Sequence, residues 1–258
     1  MKAWCGVLTR DFKIVGGLLI KYHGTEKRVL IPEDVTRIID EAFAGCPIEH
    51  VTVPRSVVAI DECAFRGCAM LCEVILPDRL RKIGGAVFSD CKKLSVISLP
   101  DSLQSLGISA FADCIALSEV RLPAGLTVIE EHAFSGCRSL KYVRLPRALT
   151  EICAGLFAGC TSLEQVRLPE DVISIDAAAF QNCVSLNNVE LPAKLQEIGE
   201  HAFSGCRSIT NMILPDGIKR IGDGAFEDCA SLEQINVPPT VECIGKNAFS
   251  GCPILKII

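Results

Sequence analysis

Aromatic side chains are scarce in this chain of 258 residues, at 5%, with a single tryptophan, Trp4, and two tyrosines. Ten of the eleven phenylalanines recur at one regular interval, so few rings remain to stack on a ligand. Positive charge is not in excess. With 26 Lys and Arg against 31 Asp and Glu, the net charge of −5 gives no electrostatic footprint for nucleic acid or anionic lipid. No apolar run is long enough to cross a bilayer. Ile14–Ile20 is broken by Gly16 and Gly17 and flanked by Lys13 and Lys21, so membrane insertion is not expected. The opening M-K-A-W-C-G-V-L-T-R is too short and too polar for a signal peptide. Phosphate-binding loops of the G-x-x-x-x-G-K-[ST] and G-x-G-x-x-G types do not occur. Cysteines in C-x-x-C or Cys/His metal spacing are missing too, which leaves no implied cofactor. The carboxylates are scattered, and no histidine is placed by sequence beside both a nucleophile and an acid. These absences point away from an enzyme.

What the chain does have is a period. Phe43, Phe65, Phe88, Phe111, Phe134, Phe157, Phe180, Phe203, Phe226 and Phe249 follow one another at 22 residues once and at 23 thereafter. A cysteine trails each by three positions, from Cys46 to Cys252, and a proline keeps the same beat from Pro32 to Pro238. A fixed period of this length marks a solenoid, whose units bury their apolar side only by stacking on neighbours. The expected architecture is a mostly-β repeat solenoid with short 3-10 or helical turns. Residues 1–31 fall outside the period and are expected to form an N-terminal β-hairpin cap. Phe12–Ile14 and Leu18–Tyr22 would pair across Gly16-Gly17, followed by a strand at Arg28–Ile31, with Trp4 in the same segment. Residues 32–258 hold about ten repeats of 22–23 residues, with no C-terminal cap after Ile258.

Each unit reads P-x-x-L-x-x-I-x-x-x-A-F-x-G-C-x-x-L-x-x-V-x-L. The alternating L-x-x-V-x-L end predicts the main strand, and a second short extended piece precedes Ile129 and its equivalents. A-F-x-G-C is too short for a helix and is expected to make one tight helical turn. Before each column cysteine stands only Gly, Asp or Asn, which predicts a positive φ in every coil. Alanine precedes each phenylalanine except at Val87 and Leu156, which would fill a gap or widen the coil. Stacked turns set equivalent residues about 4.8 Å apart. A disulfide needs converging Cβ atoms about 3.8 Å apart. The cysteine column is therefore read as a ladder of small buried thiols. So much reduced cysteine fits a reducing compartment.

The unit, nearly unaltered at 123–145 and 192–214, resembles the leucine-rich repeat superfamily and, more narrowly, its BspA-like bacterial surface-antigen type. The lead-in F-x-I-x-x-G-x-L-x-x-Y-x-G at Phe12–Gly24 is similar to that type as well. The resemblance implies a right-handed curved solenoid with a parallel sheet on its concave face. It also implies bacterial cell surfaces, adhesion and binding of protein or matrix rather than catalysis. A cell-surface or secreted location follows if the chain is part of a longer exported protein, and a cytoplasmic one if it is complete.

Outward strand positions are where recognition is expected, because packing already accounts for the regular columns. The column between Val and the last Leu carries Arg121, Arg144 and Arg167, with Tyr142, Gln165 and Glu119 beside it. Like charges aligned across strands cost stability, so packing does not explain the stripe. Arginine suits bidentate contacts to carboxylate, phosphate or sulfate. The competing explanation is tandem copying of one R-L-P unit, with Glu119, Glu164 and Glu190 compensating locally. His132 and His201 lie in identical strings 69 residues apart and read as surface filling, while His23 and His50 look isolated. The function expected is a non-catalytic module binding a protein or glycan ligand. A structural spacer that self-associates through the open end at Ile258 and an intracellular scaffold or inhibitor are the alternatives.

Overall fold

In the computed structural model, which describes residues 9–258, each coil begins where proline ends the preceding strand. The proline carbonyl accepts the N–H three residues on, as in Leu103 N to Pro100 O at 3.0 Å and Leu126 N to Pro123 O at 3.1 Å. That closes P-x-x-L into a tight turn and points the leucine inward, where both are fully buried. A two-residue strand follows, for example Ser105–Leu106 or Val128–Ile129. After the Ala-Phe turn comes the second strand, such as Glu119–Arg121 or Tyr142–Arg144. Both sets stack in parallel, with Ser105 opposite Val128 in one and Arg144 opposite Arg167 in the other. The result is a mostly-β parallel solenoid of about ten coils. Trp4 and Cys5 lie outside the described residues.

The Ala-Phe side forms a third ladder. In each pair of coils three N–H groups donate to the next coil: His132 to Ala154 O at 2.9 Å, Phe134 to Leu156 O at 3.0 Å and Gly136 to Ala158 O at 2.7 Å. This side forms no helix, only the tight turn expected in each coil. Its i to i+3 bonds, such as Cys137 N to Phe134 O at 3.2 Å, close single turns, and the 3-10 helix Thr9–Asp11 is the only helix among the described residues. The left-handed residue expected before each column cysteine is present in all ten coils, from Gly45 at φ 70° to Gly251 at φ 71°, with Asp90 at φ 59° between them. A second left-handed column stands four residues earlier, at Glu41, Cys63, Ala86, Ser109, His132 and onward. Two such residues per coil aim alternate N–H groups along the solenoid axis, where the next coil's carbonyls wait.

Along the centre runs a stack of phenylalanines. Successive ring centroids from Phe43 to Phe249 are 4.8–5.8 Å apart, with interplanar angles of 1–17°. Offset stacking at such distances adds about 0.5–1.5 kcal/mol per pair beyond area burial. Phe12 and Tyr22 of the hairpin extend the stack, Tyr22 lying 5.1 Å from Phe43. Leu18–Tyr22 also pairs with Arg37–Ile38 of the first coil, and Gly16 and Gly17 both take positive φ in the hairpin turn.

The cysteines do more than fill space. Each Sγ from Cys68 to Cys252 donates to the carbonyl of the phenylalanine one coil back, at 3.0–3.3 Å. That carbonyl already accepts one N–H within its own turn, and the thiol occupies its second lone pair. Burial pushes Cys68, Cys114, Cys160 and Cys229 up to about 12, and Cys91, Cys137, Cys183 and Cys206 upward as well.

The strand ladders are not continuous. The long-strand ladder breaks between Glu73–Ile75 and Val96–Ser98 and between Asn188–Val189 and Asn211–Met212, and both ladders stop at one shared junction, between Glu119–Arg121 and Tyr142–Arg144 and between Val128–Ile129 and Glu151–Ile152. Phe134 and Phe157, the pair flanking the short-strand gap, are the most widely spaced in the stack at 5.8 Å, and Leu156 replaces alanine there. Cys153 Sγ bridges the same gap, donating to Ile129 O at 3.1 Å.

Candidate binding surface

Every three-residue strand from Glu73–Ile75 to Gln165–Arg167 buries its middle residue and exposes the two beside it. The alternation turns Val120, Val143 and Val166 into the core and leaves Arg121, Arg144 and Arg167 outside. Arg144 and Arg167 are direct register partners, as are Tyr142 and Gln165. Arg121 is paired with Ser98 instead, and the ladder gap separates it from Arg144. The stripe is thus a pair of arginines on one sheet and a third on the strand across the gap, with Glu119 exposed at the near end of that strand. Tyr142, 55% exposed, donates from its hydroxyl to Glu164 Oε2 at 2.8 Å. That bond, with the carboxylate's charge, holds the phenol above its ordinary range.

The electrostatics of the stripe differ from those of the opposite side. On the short-strand side, Arg37 Nε lies 2.7 Å from Asp61 Oδ2 and Arg220 Nε lies 3.4 Å from Glu197 Oε1. Among the described residues, the ion pairs do not include Arg121, Arg144 or Arg167. Glu164 is turned to Tyr142 rather than to an arginine. The stripe therefore has guanidinium groups free for an incoming anion. The groove lined by Asp176, Glu197, Glu200, Arg220 and Asp223 already contains its own counter-charge.

His132 and His201 adopt left-handed backbone angles, φ 56° and 51°, and each ring lies under the glycine of the next coil, Gly155 or Gly224. A side chain at either glycine would collide with the ring. His and Gly one period apart are a readable sign of this packing. His50 is not isolated, as its Nδ1 is 2.8 Å from Glu73 Oε2 on the adjacent strand. The described residues contain no group of three or more His, Cys, Asp or Glu arranged to hold a metal. No helix among them is long and apolar enough to cross a membrane.

Comparison with known proteins places this geometry. The family profile described as BspA type leucine rich repeat region matches residues 36–164 and 150–258. A leucine-rich repeat protein from Bacteroides ovatus is 34% identical and superimposes with a TM-score of 0.85, over 93% of this chain and 65% of that one. The T. pallidum leucine rich repeat protein is 32% identical with a TM-score of 0.68, over 70% of this chain and 91% of that one. The pneumococcal vaccine antigen PcpA, at 20% identity and a TM-score of 0.57 over 90% of this chain and 67% of its own, shares the fold alone. This chain spans just under two thirds of the length of the Bacteroides ovatus protein, at 65%. No curated protein matches it.

Proposed function

The chain belongs to the BspA-type leucine-rich repeat family, and from that premise we propose that it is a non-catalytic binding module. Its long-strand face takes a protein or glycan partner through carboxylate, sulfate or phosphate groups. The observation that carries this reading is the column Arg121, Arg144 and Arg167, outward-facing and without a carboxylate partner among the described residues. Aligned cations weaken a sheet, whereas an anionic ligand removes the repulsion and gains charge-assisted hydrogen bonds. Tyr142 and Gln165, register partners at the start of the strands that carry Arg144 and Arg167, supply neutral hydrogen-bonding groups beside the arginines. Display on a bacterial cell surface is the setting that the family resemblance suggests.

The test is binding to immobilised heparin and to a polyglutamate peptide at low and physiological salt. Arg121→Ser, Arg144→Ser and Arg167→Ser together are expected to weaken binding to at least one of the two by about tenfold per arginine, at about 1.4 kcal/mol each. Unchanged binding of the triple variant to both would remove the arginines from the interface.

A further inference from the structure

The column thiols from Cys68 to Cys229 are buried and hydrogen-bonded to carbonyls, but Cys72 is not in the column and is only half-buried. It directly precedes the strand Glu73–Ile75. Its Sγ lies 3.2 Å from Glu49 O and 3.9 Å from Nε2 of His50. The other ring nitrogen, Nδ1, lies 2.8 Å from Glu73 Oε2. His50 and Glu73 are register partners on neighbouring parallel strands. The pairing therefore sets carboxylate beside ring, and the residue before Glu73 falls on the ring's far side. Thiol, imidazole and carboxylate stand in the order that nucleophile, base and orienting group require.

We propose that Cys72 is a covalent modification site that exchanges with small anionic disulfides, with His50 as its base and Glu73 holding the ring in place. His50 Nε2 takes the thiol proton as Sγ attacks one sulfur of the disulfide. A new S–S bond forms to Cys72, the original S–S bond breaks, and the departing thiolate takes the proton from His50. The protein thiol is oxidised and half of the disulfide is reduced, so no other redox partner is needed. The charged groups around the pair suit a disulfide that carries carboxylates. Arg28 is the register partner of His50 on the preceding strand, and Lys27 Nζ lies 2.7 Å from Glu49 Oε1. Lys27 foremost, with Lys93 at longer range, holds the Glu49 carboxyl below its ordinary range, which places two lysines near the site. Cys243 provides an internal control. It is exposed and lies opposite Arg220 in the short-strand ladder, far along the chain from His50.

The experiment treats the folded chain, carrying Cys5→Ser, with 5,5′-dithiobis(2-nitrobenzoate) or oxidised glutathione at pH 7. Samples are quenched in acid at intervals, and the mixed disulfides are located by mass spectrometry. Exposure alone would put Cys243 first. The proposal expects Cys72 to react at least about tenfold faster than Cys243, and His50→Gln to slow Cys72 by a similar factor. His50→Gln should leave Cys243 unchanged, which reports that the fold is intact, and Glu73→Gln should slow Cys72 by less. Labelling of Cys243 before Cys72, or an unchanged Cys72 rate in His50→Gln, would overturn the assignment.

Discussion

Raising the pH from 8 to 10.5 is expected to unfold the protein cooperatively without denaturant. Nine buried thiols, the column from Cys68 to Cys229 together with Cys153, keep their protons in the folded chain well above the ordinary thiol value of 9.0, because burial disfavours the thiolate. The unfolded chain releases those protons at the ordinary value. The stabilisation is therefore fully present below about pH 9 and is lost as pH rises towards the folded value. In that window each thiol removes about 1.4 kcal/mol per pH unit, or on the order of 12 kcal/mol per unit for the nine together. A domain's whole stability is only about 5–15 kcal/mol, so the fold should not survive much beyond pH 10. Circular dichroism and urea midpoints measured from pH 7 to 11 check this. Replacing Cys137, Cys160 and Cys183 by alanine should lower stability at pH 7 and yet make its fall with pH shallower. An unchanged urea midpoint up to pH 10.5 would contradict the thiol ladder.

Truncating the middle of the aromatic stack is the second large effect. Phe134→Ala is expected to destabilise the protein by about 3–5 kcal/mol, the range for a buried phenylalanine that leaves a cavity. Phe134 is fully buried and stacked on both sides, at 5.5 Å from Phe111 and 5.8 Å from Phe157. Phe249 is partly buried and has only Phe226 beside it, at 5.7 Å. Phe249→Ala should therefore cost about half as much. Urea unfolding of both variants tests the difference. Equal losses would mean that the stack is not what couples the coils, since in a solenoid the cost of a defect follows the neighbours it touches.

The reach of the sequence follows from what repeats in it. Phenylalanine, cysteine and proline recur in step, so the coil, its two strands and the burial of the phenylalanines are readable before any coordinates. The Gly/Asp/Asn column is readable for a steric reason, since those types accept positive φ at low cost. The second left-handed column was not, because Glu41, Cys63, Ala86 and His132 share no chemistry. Their backbone angle is imposed by the inter-coil hydrogen bonds on either side. Thiol donation was hidden because cysteine reads as a small apolar residue. His50 and Glu73 were within reach, as residues 23 apart occupy one column in adjacent coils. The arginine stripe was visible as a column, but the interruption between Arg121 and Arg144 leaves no mark in residue type.

The claim on which the function rests is that the long-strand face, with its arginines free of carboxylate partners, is the surface that meets a ligand. Amide chemical-shift mapping of the isotopically labelled chain during titration with a sulfated oligosaccharide or an acidic peptide reads this directly. Shifts are predicted to centre on residues 119–121, 142–144 and 165–167. Shifts confined to the Phe-turn side or the short-strand side, or no shifts with either probe, would contradict it.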